Sequence, residues 1–89
     1  MPAVRVRVAA LLHSYTGGAS VVEVEGATVL DVMAALDVRF PGLAFRVIDE
    51  HGRIRPHMNV FLRQDMLSDL KAPVPPDSEL YIVGALSGG

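Results

Sequence analysis

The chain has 89 residues, 51% of them hydrophobic and 20% charged, a composition that makes one small globular domain and excludes both a two-domain protein and a disordered chain. Eight basic and ten acidic side chains are interspersed to a net charge of −2, which disfavours nucleic-acid binding, and the lack of cysteine excludes disulfides, thiolate nucleophiles and thiolate metal sites. A domain of this size holds roughly 4 to 13 kcal/mol of stability and leaves little sequence for a catalytic cleft. Nothing resembles a signal peptide, and apolar runs such as Val8 to Leu12 fall far short of the roughly 20 residues that span a bilayer, so the expectation is a soluble, cytoplasmic protein without a membrane partner.

Val4, Val6 and Val8 alternate with Arg5 and Arg7, the period-2 pattern of a strand with one buried and one wet face. Thr16-Gly17-Gly18 signals a turn, and Val22 and Val24 then alternate with Glu23 and Glu25 up to Gly26, which predicts a hairpin. Thr28 stands three residues before Asp31 in a capping-box arrangement. Val29, Val32, Met33, Leu36 and Phe40 recur at helical spacing until Pro41, so one amphipathic helix is predicted there. Gly42 to Ile48 reads as a further helical turn and Asp49-Glu50-His51-Gly52 as a polar bend.

Met58, Val60 and Leu62 give a third strand, with Gln64-Asp65 as the tight connection to a short strand around Met66 and Leu67. Pro73 to Glu79 carries three prolines and reads as a rigid loop that cannot pair in a sheet, and Leu80 to Val83 forms the closing strand. One substantial helix cannot cover both faces of a sheet. The economical arrangement is therefore α+β, a mixed four- to five-stranded sheet wrapped around that helix.

The sequence closes on Leu86-Ser87-Gly88-Gly89, directly after the last predicted strand. Glycine has no Cβ, so such a tail can lie flat in a narrow channel and present its carboxylate to another protein's active site. The residues from Ala85 to Gly89 reach roughly 17 Å when extended. The expected division is a domain over 1–84 and a flexible diglycine tail over 85–89.

Taken together, the element order, the helix Thr28 to Leu36, Phe40-Pro41-Gly42-Leu43, Asn59-Val60-Phe61-Leu62, Asp77-Ser78-Glu79 and Ser87-Gly88-Gly89 resemble the ubiquitin-like β-grasp sulfur carriers of the ThiS, MoaD and CysO type, and CysO-type members in particular. The tail departs from the commoner Pro-x-Val-Ala-Gly-Gly pattern, since Gly84 stands where proline is often found and Leu86-Ser87 replaces Val-Ala. The resemblance implies that a ubiquitin-activating-type adenylyltransferase/sulfurtransferase uses ATP to adenylate Gly89, and that sulfide or a persulfide converts the adenylate to a thiocarboxylate. On the same resemblance the chain itself would bind no cofactor and would act as a carrier rather than an enzyme, apart from the case of a molybdopterin synthase small subunit. A sulfur-accepting enzyme, cysteine-synthase-like or other, and a JAMM-type metalloprotease are the further implied partners. Cysteine or a sulfur-containing metabolite is the first destination, and thiamin or molybdopterin the alternatives. A ubiquitin-like modifier that joins Gly89 to target lysines is the other covalent function, with Lys71 the sole internal lysine for self-linkage. A plain interaction domain comes third.

The sequence lacks the G-x-x-x-x-G-K-[ST] phosphate cradle, consistent with a chain that presents a substrate. If Val4, Val6, Val60, Leu62, Leu80 and Ile82 face the helix, strand parity turns Arg5, Arg7, Phe61, Arg63, Tyr81 and Val83 outward, a candidate surface for enzyme recognition. His13, His51 and His57 match no common metal-site spacing, and no metal is expected. Asp49-Glu50 and the pair Asp77 and Glu79 read as solvated turn acids, and Ser87 as a small residue suited to a channel, with no base placed beside it.

Overall fold

The computed structural model describes residues 3–84; the tail positions Leu86, Ser87, Gly88 and Gly89 lie outside the described residues. Strand β1 (Ala3–Val8) leads through a 3-10 turn at Ala10–Leu12 and a short helix α1 (His13–Thr16) into β2 (Val21–Glu25). Helix α2 (Val29–Arg39), helix α3 (Leu43–Val47) and strands β3 (Met58–Leu62), β4 (Asp65–Leu67) and β5 (Glu79–Gly84) follow. The five strands form one mixed sheet in the order β2-β1-β5-β3-β4. The two terminal strands β1 and β5 run parallel at its centre, with Val6 opposite Leu80 and Val8 opposite Ile82, and the other pairs are antiparallel.

Alternation decides the faces. Val4, Val6, Val22, Val24, Met58, Val60, Leu80 and Ile82 are buried on one side of the sheet and meet Val29, Val32, Met33 and Leu36 of α2. Leu43 and Val47 of α3, with Leu12, Leu70 and Val74 from the connections, complete the core. The ubiquitin-like β-grasp expected from the sequence is the observed architecture.

Helix α2 begins where the capping signal lies, since the Thr28 hydroxyl accepts from the Asp31 amide at 3.2 Å. The proline-rich loop contributes as well: Val29 N donates to Ala72 O at 3.1 Å and Leu30 N to Leu70 O at 2.8 Å, so the first amides of the helix all find acceptors. Pro73 forms an isolated bridge with Thr28, so this loop pairs at one point despite its prolines, because the bonds fall on its neighbours: Val74 N donates to Ala27 O at 2.8 Å and Ala72 O accepts from Val29 N. Asp37 caps the next helix, its Oδ1 accepting from Gly42 N at 3.0 Å. Asp49 organises the predicted bend, its carboxylate accepting from the His51 and Arg53 amides at 2.9 and 3.0 Å, and these bonds hold it below the usual carboxylate range.

Two details differ from the sequence expectation. The β1–β2 connection is helical and not a tight turn, closed at Gly17 in the left-handed region (φ 67°). The β3–β4 turn falls one residue earlier, at Arg63 and Gln64 with Leu62 opposite Asp65, because Arg63 itself takes a left-handed φ of 58°. Among the described residues no helix is long and apolar enough to cross a membrane.

Candidate functional site

The helix side of the sheet is covered, which leaves the opposite face as the place where strand-borne side chains can meet another molecule. Register sets what they form there. Arg7 lies opposite Val21 on β2 and Tyr81 on β5, Tyr81 lies opposite Phe61 on β3, and Phe61 lies opposite Met66 on β4. A single row, Val21, Arg7, Tyr81, Phe61 and Met66, therefore crosses all five strands. Phe61 and Tyr81 are half-buried by their neighbours while Met66, 64% exposed, stands free at the edge. Val83, opposite Asn59, lies one step nearer the tail.

Sequence parity placed Arg5, Arg7, Phe61, Tyr81 and Val83 on this face, and the structure brings them together there. Arg63 is placed differently: as a turn residue outside β3, it lines an open hollow of about 420 Å³ with Gln64, Asp77, Ser78, Glu79 and Tyr81 at the end of the sheet away from the tail.

Glu79 organises the polar half of the site. As the first residue of β5 it shares a face with Tyr81, two positions on, and it lies in register with Arg5. The Tyr81 hydroxyl donates to its Oε1 at 2.7 Å, Arg7 Nε lies 3.3 Å from the same oxygen, and Arg5 Nη1 lies 3.4 Å from Oε2. The Arg7 guanidinium also sits over the Tyr81 ring, 5.9 Å from its centroid. One carboxylate thus orients two arginines and a tyrosine. Glu79 read from sequence as a solvated turn acid beside Asp77; the structure corrects this, because the turn ends at Ser78 and Glu79 already belongs to the strand. Strand parity relates Glu79 to Tyr81, but no spacing signal could have joined it to its arginine partners, which are more than seventy positions away.

The electrostatics follow from these contacts. The Tyr81 hydroxyl and Arg7 hold the Glu79 carboxyl below its usual range; Glu79 in turn raises Tyr81 above 10.0 and Arg7 above its ordinary value. A depressed carboxyl contributes stability that is present above its unfolded pKa and lost as pH falls through the folded one. A raised phenol contributes stability that is present below its unfolded pKa and lost as pH rises through the folded one. The cluster is therefore intact across neutral pH and released at both limbs. In a Tyr15→Phe background, Glu79→Gln is expected to move Tyr81 ionisation, followed by phenolate absorbance, to lower pH; an unchanged midpoint would show that the carboxylate does not govern the hydroxyl.

The histidines lie apart from this face. His13 Nε2 is 3.1 Å from Val8 O and His51 Nε2 is 3.7 Å from Glu50 Oε1. A second apolar surface lies behind the sheet, a groove of about 330 Å³ between α2 and α3 rimmed by exposed Leu30 and Phe45.

No family model and no curated protein matches the sequence. Solved structures do. A chain of the Amycolatopsis orientalis BexX/CysO complex superposes with a TM-score of 0.89 at 30% identity, covering 97% of this chain and 99% of that one. Small archaeal modifier protein 1 from Haloferax volcanii superposes at 0.81 with 28% identity, covering 98% and 99%. Mycobacterium tuberculosis CysO, at 0.83 and 24% identity over 93% of this chain and 99% of that one, shares the fold. With the five-stranded order, the parallel terminal strands and near-complete mutual coverage at this identity, the chain belongs to the ThiS, MoaD and CysO type family of ubiquitin-like β-grasp sulfur carriers.

Proposed function

We propose that the protein carries sulfur as a thiocarboxylate on Gly89, made by a ubiquitin-activating-type adenylyltransferase and delivered to a biosynthetic enzyme of cysteine or another sulfur-containing metabolite. The observation that carries this reading is the position of Gly84: in a chain of this family, the diglycine follows within five residues of the central strand of the sheet. A carboxylate is a poor electrophile. One of its oxygens attacks the α-phosphorus of ATP and pyrophosphate leaves; hydrosulfide then attacks the acyl carbon of the adenylate, AMP leaves, and a thiocarboxylate remains. The partner binds the ATP, and this chain presents the carboxyl. Docking of the body turns the first step into a nearly intramolecular one.

The row Val21, Arg7, Tyr81, Phe61 and Met66, with Arg5 and Val83 beside it, suits the docking role because it joins aromatic rings to an arginine on a half-apolar strip. Arg63 would contribute from the neighbouring hollow. Replacing both Phe61 and Tyr81 with alanine is expected to raise the KM for the adenylyltransferase by about 10- to 100-fold with little change in kcat, as loss of interface anchors does. An unchanged KM would move docking to another face.

The reading is tested by the intact mass of the protein isolated from cells that also express the adenylyltransferase and a sulfide source. A gain equal to the exchange of one oxygen for one sulfur is expected. A second reading, a ubiquitin-like modifier, is favoured by the similarity to small archaeal modifier protein 1. It uses the same adenylate with a lysine amine in place of hydrosulfide, and a Gly89-to-lysine crosslink in place of the sulfur gain would select it. Acceptor enzymes of the cysteine-synthase type and a JAMM-type metalloprotease are the partners to test next, and a cytoplasmic location fits this sulfide chemistry.

A further inference from the structure

The segment after β1 folds back over the far end of β5. Ala9 N donates to Ile82 O at 2.9 Å, which extends the parallel ladder one residue beyond β1, and the 3-10 turn rises from that point with Leu12 N bonded to Ala9 O at 2.9 Å. Leu12 is fully buried, whereas its neighbour Leu11 is 54% exposed. Exposure does not leave Leu11 without a contact: a Cβ added to Gly84 would collide with Leu11 Cδ2 and lie 3.5 Å from its Cγ. Gly84 is not among the glycines at positive φ, so its backbone would accept other residues; a Cβ there would meet Leu11 alone, whose side-chain end would have to move aside. On its other edge Gly84 is in register with Met58 of β3. The last described residue before the tail is thus held between a strand and a leucine side chain.

We propose that Leu11 is a positioning residue that caps Gly84 and fixes the direction in which the chain leaves the sheet towards Gly89, a role that rests on the carrier reading above. The leverage is large. A tilt of about 10° at Gly84 displaces the end of an extended tail by about 3 Å over a reach of roughly 17 Å. A misplacement of about 1 Å at a reacting group can cost about 100-fold in rate. Anchoring the root restricts the directions that the carboxyl samples once the body is docked, without adding any group to the chemistry.

The test uses the full chain as wild type, Leu11→Ala, Gly84→Ala and the double variant, with two readouts. Backbone 15N relaxation at Gly84 needs no partner. An order parameter near 0.85 in the wild type, falling below about 0.6 in Leu11→Ala, is expected. In steady-state thiocarboxylate formation with the adenylyltransferase, ATP and sodium sulfide, kcat is expected to fall by about 10-fold with KM within about 2-fold, the signature of lost positioning rather than lost binding. Gly84→Ala, which displaces the Leu11 side chain, is expected to lose a similar factor, and the double variant no more than either single change. Unchanged order at Gly84, a raised KM at constant kcat, or multiplicative losses in the double variant would each overturn the proposal. If the wild type forms no thiocarboxylate, the carrier reading fails, and the relaxation measurement still decides whether Leu11 holds Gly84.

Discussion

Removal of Gly89 alone is expected to reduce thiocarboxylate formation by at least about 100-fold while the protein stays folded. The shortened chain still ends in a glycine carboxylate, so the chemistry of the group is unchanged; its reach is shorter by about 3.5 Å, several times the displacement that costs an enzyme about 100-fold. Neither the core nor the docking row includes the lost residue. Stability within about 0.5 kcal/mol of the intact chain and unchanged affinity for the adenylyltransferase are the accompanying expectations, read by thermal melting and by competition with the full-length protein. Retained sulfur loading in the shortened chain would place the reactive carboxyl elsewhere. A loss of affinity in parallel with the loss of loading would mean that the tail, and not the sheet face, provides the docking energy.

Leu36→Ala is expected to have the largest effect on stability. Leu36 is fully buried on the inner face of α2, between that helix and the sheet, and its truncation leaves a cavity that the surrounding strands cannot close. A loss of about 2 to 5 kcal/mol follows, which for a domain of this size lowers the melting temperature by about 10 to 30 °C. Against a total of roughly 4 to 13 kcal/mol, such a loss brings the variant close to unfolding at growth temperature. Loading measured well below the new midpoint is expected to keep the wild-type kcat, because Leu36 lies on the far side of the sheet from the docking row. A loss under about 1 kcal/mol in urea titration would mean that the α2 face is not the main core.

The regular elements were legible because their signals are local. Val4, Val6 and Val8 alternate, as do Val22 and Val24, and the Thr28 cap opens a run of apolar residues at helical spacing, so the strands and α2 stand where they were expected. The turn between β3 and β4 was displaced because an arginine, rather than the glycine or asparagine that usually marks such a position, takes the left-handed conformation. The helical turns from Ala10 to Thr16 are too short to show a period. Strand parity found the open face, yet the row across five strands depends on register, which joins Arg7 to Tyr81 across 74 positions of sequence and leaves no local trace. Gly84 departs from the family pattern, and the Leu11 side chain packed against it comes from 73 positions away, a contact that no local pattern shows.

The placement of β5 between β1 and β3 has a mechanical consequence. The strand that leads to the tail is hydrogen-bonded along both edges, and its parallel neighbour β1 begins at the opposite end of the molecule. Tension applied through Gly89 therefore loads both ladders in shear, so that many hydrogen bonds must break together and none can be peeled off in turn. The body would thus resist a pull on the tail like a knot at the end of a cord.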